Sequence, residues 1–566
     1  MKWLREHAAT RLSEKTGLAA ESLSGSFKLP DNPERGDLAL PCFLIARDMK
    51  RKPNEIAAEL AELFTGDALF EKVEAAGPFV NFTYATRTLA ERVLAEIAER
   101  GDAYGFGVEG QGQTVVLDFS SPNIAKPIAF HHIRSTVIGN ALAKLHEARG
   151  YKTVRINYLG DWGTQFGKLI VAYRRWGDDD ALNRDQIRHL LAIYVRFHQE
   201  AEKEPGLEDE AREWFARMER GDDEALKLWR LFYDISLKEF DRIYKRLGVR
   251  FDLFEGESRY RDRLDAVIEQ VSQRAGTLES QGALVVELGE DMPPCLLRKA
   301  DGATLYATRD IAAAMDRYER FAFDRSLYVV AVQQSMHFRQ FFTVLDKMGC
   351  EWASRCRHVP FGMLQLADRT MSTRKGEVIF LDDVLDKSVA LSLAAIEEKN
   401  PALPNKEEVA RQVGVGAIIF GDLVNRRTND VTFEWERILN FNGETGVYVQ
   451  YTHARCRAIL RKAPARQNAA PDYARFTRAE ERVVMKLLGQ FPERIERACE
   501  DFEPSLVAQH LVDLCQAFNK VYNIEGYRFL DADQATREAR LALAEAVAVV
   551  LKSGLGLLGV EAPEEM

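Results

Sequence analysis

One stretch limits the fold more than any other. Val115-Val116-Leu117-Asp118-Phe119 is apolar enough for a buried strand, and residues 133–145 place Ile133, Ile138, Leu142 and Leu145 at helical spacing. Between them runs a turn, Ser120-Ser121-Pro122-Asn123-Ile124-Ala125-Lys126-Pro127, ending in Ala129-Phe130-His131-His132. A strand, a turn and a helix opened by a His pair form an arrangement suited to phosphate. The helix mouth offers unsatisfied N–H groups and partial positive charge, and Lys126 and the imidazoles add donors. An ordinary βα turn whose His pair only caps and packs gives the same local pattern.

The surrounding chain repeats the alternation. Strands are expected at 115–119, 153–158, 326–331 and 357–363, with helices between them. Such alternation predicts a parallel sheet covered on both faces, with ligands at the carboxyl ends of its strands. From about 171 to 255 long charged amphipathic helices interrupt it, and these are read as an insertion. Helices and short strands mix before about residue 110. After about 401 the chain reads as helical almost throughout, with 541–551 apolar around most of its circumference and so buried in a bundle. The expected domains are 1–110, 111–400 and 401–566.

A chain of 566 residues is long enough for about three cores. No stretch approaches the roughly 20 apolar residues of a membrane span. The start, Met1-Lys2-Trp3-Leu4-Arg5-Glu6-His7, lacks the apolar run of a signal peptide. Seven scattered cysteines without a CxxC pair argue against a disulfide framework and a structural zinc site. A cytoplasmic location is expected. The net charge of −10 does not advertise a nucleic-acid partner, but Arg455, Arg457, Arg461, Lys462 and Arg466 form a basic run. A solvated helix face accounts for such a run equally well.

Several strings carry a resemblance. Ser121-Pro122-Asn123-Ile124-Ala125-Lys126-Pro127 and Ile133-Arg134-Ser135-Thr136 flank a tetrapeptide, Ala129 to His132, in the place of a HIGH motif. Asn157-Tyr158-Leu159-Gly160-Asp161-Trp162-Gly163-Thr164-Gln165-Phe166-Gly167 follows the second strand. Tyr306-Ala307-Thr308-Arg309-Asp310, Gln333-Gln334-Ser335-Met336-His337 and Thr370-Met371-Ser372-Thr373-Arg374-Lys375-Gly376 come next. Gly446-Val447-Tyr448-Val449-Gln450-Tyr451-Thr452-His453-Ala454-Arg455 lies in the last third. In this order they resemble the arginyl enzymes of the class I aminoacyl-tRNA synthetases. Ala129 and His131 depart from the HIGH pattern, and Thr370 and Thr373 from KMSKS.

The resemblance implies an α/β fold: a Rossmann-type parallel-sheet catalytic domain with a helical insertion, a small N-terminal α+β domain and an all-α anticodon-binding bundle. It implies activation of L-arginine with ATP and Mg²⁺, then transfer to the terminal adenosine of tRNA(Arg). By position, Lys126, His132, Arg374 and Lys375 would serve the phosphates. Phe130, His131, His132, His337, Met371 and Ser372 would hold ATP. Asp118, Asn123, Tyr306, Asp310 and Gln334 would form the arginine pocket. That set suits a guanidinium, whose five N–H donors and full charge want carboxylates and amide oxygens. Arg455, Tyr448, Tyr451 and Tyr522 would meet tRNA by charge and base stacking. The turns Gly36-Asp37-Leu38-Ala39 and Gly77-Pro78-Phe79-Val80-Asn81-Phe82 resemble those of the family's N-terminal domain, which contacts the corner of the tRNA. No tightly bound cofactor, metal site or membrane contact is expected, and the chain is expected to be a monomer. A tRNA-binding paralogue without activation, or a nucleotidyl transferase acting on another substrate, would share many of these features.

Overall fold

A computed structural model describes residues 1–30, 32, 35–366, 379–440, 443–464 and 471–566. Near the N-terminus three antiparallel strands, β1 (Leu38–Pro41), β2 (Phe70–Ala76) and β3 (Phe79–Tyr84), pair in the order β1-β3-β2 among helices. The turn before β1 anchors this sheet elsewhere. Asp37 accepts the N–H of Tyr84 at 2.8 Å and pairs with Lys486 at 2.5 Å and with Arg482, both on the Ala479–Glu500 helix.

The expected parallel sheet contains β4 (Thr114–Asp118), β5 (Lys152–Leu159) and β6 (Leu253–Gly256). After an antiparallel trio, β7 (Leu278–Ser280), β8 (Ala283–Val286) and β9 (Cys295–Arg298), it is completed by β10 (Arg325–Ala331) and β11 (Cys356–Phe361). The order is β11-β10-β4-β5-β6 and every pairing is parallel. Val115 and Leu117 enter one apolar cluster and Val116 another, the period of two expected of a strand covered on both faces. The chain begins in the middle of the sheet, builds toward β6, then returns to the other side of β4. The reversal opens a crevice at the carboxyl ends of β4 and β10.

Two departures from the sequence reading concern this domain. β6 lies inside the stretch read as insertion, because four residues with two half-buried give a weak period. The inserted helices end at Arg246, before β6 rejoins the sheet. The trio β7–β9 lies outside the expected strands too; its first strand, three exposed residues with one leucine, is too short to show a period.

In the last third, helices Lys406–Leu423, Gly446–Lys462, Ala479–Glu500, Ser505–Tyr522 and Gln534–Leu557 pack together. This stretch also holds a short strand. After β12 (Leu364–Leu366), β13 (Val431–Phe433) pairs with it in parallel. Among the described residues no helix is long and apolar enough to cross a membrane.

Candidate active site and nucleic-acid face

The turn after β4 is held in a costly shape. Ser120, Ser121 and Ala125 have φ of 71°, 47° and 60°, a left-handed conformation that L-residues with a Cβ enter at a cost. Remote groups hold it there. Ser135 Oγ accepts the Ser120 N–H at 2.8 Å and donates to the Val329 carbonyl at 2.7 Å. The Ser120 hydroxyl meets Thr136 Oγ1 at 2.8 Å and Tyr244 OH at 2.7 Å. Asn157 accepts the Ser121 N–H at 3.1 Å, and Ser236 accepts that of Ala125 at 2.7 Å. Thus the Ser135-Thr136 pair, β5 and the inserted helix Asp223–Arg246 all shape one turn. Gly160 after β5 has a separate reason: a Cβ there would lie 1.9 Å from Asn123 Oδ1. That close approach lets the two backbones pair as Asn123 and Gly160 and leaves the Asn123 side chain at the crevice.

At the mouth of the Ile133–Ala148 helix, the Ala129 amide hydrogen points at His132 Nδ1 from 3.0 Å. The Ala129 carbonyl is 3.2 Å from the same atom. Because the amide keeps its hydrogen, Nδ1 is the acceptor and the ring proton sits on Nε2. Burial, reinforced by His131 and Lys126, lowers the His132 pKa to about 3, so the imidazole is neutral. His131 is also lowered by burial, and its ring lies 4.2 Å from that of His132. Lys126 is half-buried with Nζ 5.3 Å from the Tyr194 ring centroid. Phe130 points away, 1% exposed and edge-on to Phe433 at 4.7 Å. The Phe130 N–H donates to the Ile379 carbonyl, and Ala129 pairs with Phe380. The tetrapeptide is therefore bonded to the chain emerging from the KMSKS-like segment. Met371, Ser372, Arg374 and Lys375, with Thr370 and Thr373, lie outside the described residues.

Beyond the turn lies an acidic bowl. Asp118 ends β4, and Asp310 sits in the first two turns of the Tyr306–Phe321 helix; burial raises the pKa of Asp118, Arg317 opposes the rise and the nearby charge of Asp310 adds to it. Asp118 is already engaged: Arg317 Nη2 pairs with Oδ2 at 2.8 Å and the Ser121 hydroxyl donates to Oδ1 at 2.9 Å. Asp310 Oδ2 is 2.6 Å from His337 Nε2, and His337 meets the Tyr306 ring edge at 4.6 Å. Tyr306 and Gln334 are exposed, Gln334 just after β10. The bowl also contains acids the sequence reading missed. Glu257 follows β6 and pairs with Arg309 at 3.1 Å. Burial pushes it up to about 7, Arg309 opposing and Asp310 and Asp161 adding to the rise. Asp161 takes the N–H and hydroxyl of Ser258 at 2.8 and 2.6 Å, and burial raises its pKa. Both Asp161 and Arg309 belong to quoted motifs, so that signal was available; for Glu257, none was.

The expected nucleic-acid face is a cleft lined by Asn400, Leu403, Tyr451, Arg455, Arg461 and Tyr522, among others. The Arg455 guanidinium lies 4.8 Å from the Tyr451 ring and 4.7 Å from that of Tyr522, and bonds to Asn519. Both rings are over a third exposed. Tyr448 differs: half-buried, its hydroxyl accepts from Asn519 at 3.0 Å, so it supports the platform. The basic run is partly neutralised. Arg457 pairs with Glu564 and Arg461 with Glu565, both near the end of the chain.

Comparison with known proteins agrees with this architecture. Three family models match: "Arginyl tRNA synthetase N terminal domain" over residues 4–84, "tRNA synthetases class I (R), catalytic domain" over 99–435, and "DALR anticodon binding domain" over 449–566. An arginine–tRNA ligase of Halothermothrix orenii is 49% identical over 554 residues, covering 98% of each chain. One from Clostridium botulinum is 46% identical over 560 residues and 99% of each chain. The solved arginyl-tRNA synthetase of Thermus thermophilus superposes with a TM-score of 0.84 at 26% identity, over 100% of both chains. A parallel sheet reversing at a phosphate-suited turn, an acidic bowl at its edge and three matched regions in order lead to one assignment: the chain belongs to the class I arginyl-tRNA synthetases.

Proposed function

We propose that this chain activates L-arginine with ATP and transfers it to the 3′-terminal adenosine of tRNA(Arg). The observation that carries the reading is the charge balance of the bowl. Asp118, Asp161, Glu257 and Asp310 share it with the guanidinium groups of Arg309 and Arg317. Arg317 is committed to Asp118 and Arg309 to Glu257, and a histidine partners Asp310. A cation of substrate size completes the set, and its guanidinium is read as facing Asp310 and Tyr306, with Asn123 and Gln334 at the rim. Asp118 would act chiefly by fixing Arg317 and Ser121, and Glu257 would add a second acid near the ligand.

The chemistry then runs along the turn. The arginine carboxylate attacks the α-phosphate of ATP in line, forming arginyl-adenylate, and pyrophosphate leaves with its Mg²⁺. A ribose hydroxyl of the terminal adenosine next attacks the acyl carbonyl, and AMP departs. Neither step needs a covalent enzyme intermediate, so orientation and fixed donors supply the acceleration. The His132 Nε2–H, Lys126 and the helix mouth would face the phosphates, joined by Arg374 and Lys375. His131 and His337 would border the nucleotide, with Met371 and Ser372 beside it. Phe130 would contribute only its backbone, because its ring is buried. At the far end, Tyr451 and Tyr522 would stack on anticodon bases around Arg455, with Tyr448 as their support. We read the chain as three units near 1–110, 111–400 and 401–566, acting as a cytoplasmic monomer.

The deciding experiment is arginine attachment to tRNA(Arg) with ATP and Mg²⁺, run beside Asp310→Ala. Charging by the wild type but not the variant is expected. No charging by either, with tRNA still bound tightly, would overturn the activation reading in favour of a binding paralogue.

A further inference from the structure

Arg134 is a charged side chain in an unusual place. It follows His132 by two residues, is 1% exposed, and reaches out of the sheet domain. Its Nε pairs with Asp422 Oδ1 at 2.8 Å, on the Lys406–Leu423 helix. Its Nη1 donates to the carbonyls of Gly362 at 2.8 Å and Asn429 at 2.7 Å, and Nη2 to that of Arg427 at 3.3 Å. A rigid, always-charged fork can hold several acceptors at fixed angles where an ammonium cannot.

The acceptors lie on two stretches of chain, one leaving β11 and the other leading into β13, whose Phe433 packs on Phe130. Gly362 leaves β11 toward the KMSKS-like segment, and its N–H donates to the Arg427 carbonyl at 2.8 Å. Met363 bonds to Asp430 and Val431, opening the β12–β13 pairing. Arg427 extends the series: its Nη1 donates to Pro360 at 2.6 Å and its Nε to the Phe502 carbonyl at 2.9 Å, at the joint between two C-terminal helices. A cavity lined by Phe130, Ile133, Ile418, Asp422, Phe433 and Ile438 adjoins the ion pair, so apolar packing alone does not fill this junction.

We propose that Arg134 is a positioning residue for arginine activation: it sets His132 and the segment after β11 in one frame with the C-terminal helices. Burying an ion pair contributes little net stability in comparison with apolar residues of similar size. The bonds here run instead to the backbone of the two stretches that open the β12–β13 pair, beside the helix that begins after His132. The readout rests on the activation reading above, and the two can fail separately.

The test is arginine-dependent ATP–pyrophosphate exchange with tRNA present, on wild type, Arg134→Lys and the double variant Arg134→Met/Asp422→Leu. Melting and tRNA affinity are followed in parallel. Arg134→Lys keeps the charge facing Asp422 but loses the fork; a tenfold or greater fall in kcat is expected, with arginine KM and tRNA affinity within about twofold. The double variant removes both buried charges but leaves the carbonyls of Gly362 and Asn429 without their Arg134 donor, so it is expected to melt lower than wild type and, assayed well below its melting transition, to show the same fall. Wild-type kcat in either variant overturns the inference, as does a fall in Arg134→Lys that only matches a loss of folded protein. Absence of exchange in the wild type would instead strike the activation reading.

Discussion

The acidic bowl and the C-terminal cleft both use arginine, in opposite ways. In the bowl, Arg317 and Arg309 are counter-ions, Arg317 fully buried against Asp118 and Arg309 half-buried against Glu257, and their task is to let negative charge persist away from bulk water. In the cleft, Arg455 lies between two exposed rings and is tied by one amide, leaving flat surface for a partner. A small buried cation calls for surplus fixed charge with every dipole placed beforehand. A long polyanion calls for accessible rings and exposed cations, whose attraction weakens as salt rises. The contrast predicts that bowl substitutions change chemistry and leave tRNA affinity alone, and cleft substitutions do the reverse.

The strongest test removes the acid whose partner is a histidine. Asp310→Ala is expected to raise the arginine KM at least thirtyfold, since deleting one member of a hydrogen-bonded charge pair shielded from water costs about 2–5 kcal/mol. Steady-state arginylation measures it, and an arginine KM within threefold of wild type would refute the assignment of the bowl. Next, His132→Ala removes a neutral donor from the helix mouth. A fall in kcat of about 10²–10³ is expected, as for loss of one fixed donor to a charge-building oxygen. A comparable loss of tRNA affinity would contradict the division of labour.

Acid probes the framework that carries both regions, through buried rings on the Ile133–Ala148 and Ser505–Tyr522 helices and at the helix mouth. Burial holds His132 and His510 at about 3 and His146 at about 4. These values lie below the ordinary 6.5, so the unfolded chain takes up protons first. Their contribution is complete above pH 6.5 and is lost as pH falls toward 3 to 4, about 2 kcal/mol for each by pH 5. Glu257, pushed up to about 7, works in the opposite sense and gains about 2 kcal/mol over the same range. The net expectation is a drop in melting temperature between pH 7.5 and pH 5, and an unchanged or rising value would contradict the depressed histidine values. The smallest effect sharpens the other side of the comparison. Arg455→Ala should weaken tRNA binding by about 1–2 kcal/mol through lost stacking and charge, read by titration at fixed salt. Its arginine KM should not move.

Much of the sheet was legible because β4 and β10 carry apolar runs, and β5 and β11 intersperse apolar with polar residues, next to turn residues. β6 and β7 were not, since short or exposed strands owe their pairing to neighbours rather than to their own pattern. Motif strings brought Asp310, Tyr306, His337 and Lys126 into view. They could not announce that Asp118 spends its charge on Arg317, because nothing in local spacing sets those residues opposite each other. Phe130 is instructive in the same way: its motif position places its backbone beside the phosphate turn, while its ring is claimed by Phe433. For Arg457 and Arg461, the sequence displays the cations but not the acids at the chain's end that fold back on them.

The left-handed turn at Ser120, Ser121 and Ala125 has a consequence for the order of assembly. No short fragment can hold it, since its bonds come from Ser135, Asn157, Ser236 and Tyr244, supplied by three separate helices and strands. During refolding the sheet and the inserted helix must dock before the turn can settle. Catalytic competence therefore marks the end of folding, and activity recovered after dilution from denaturant should lag behind recovered helical signal.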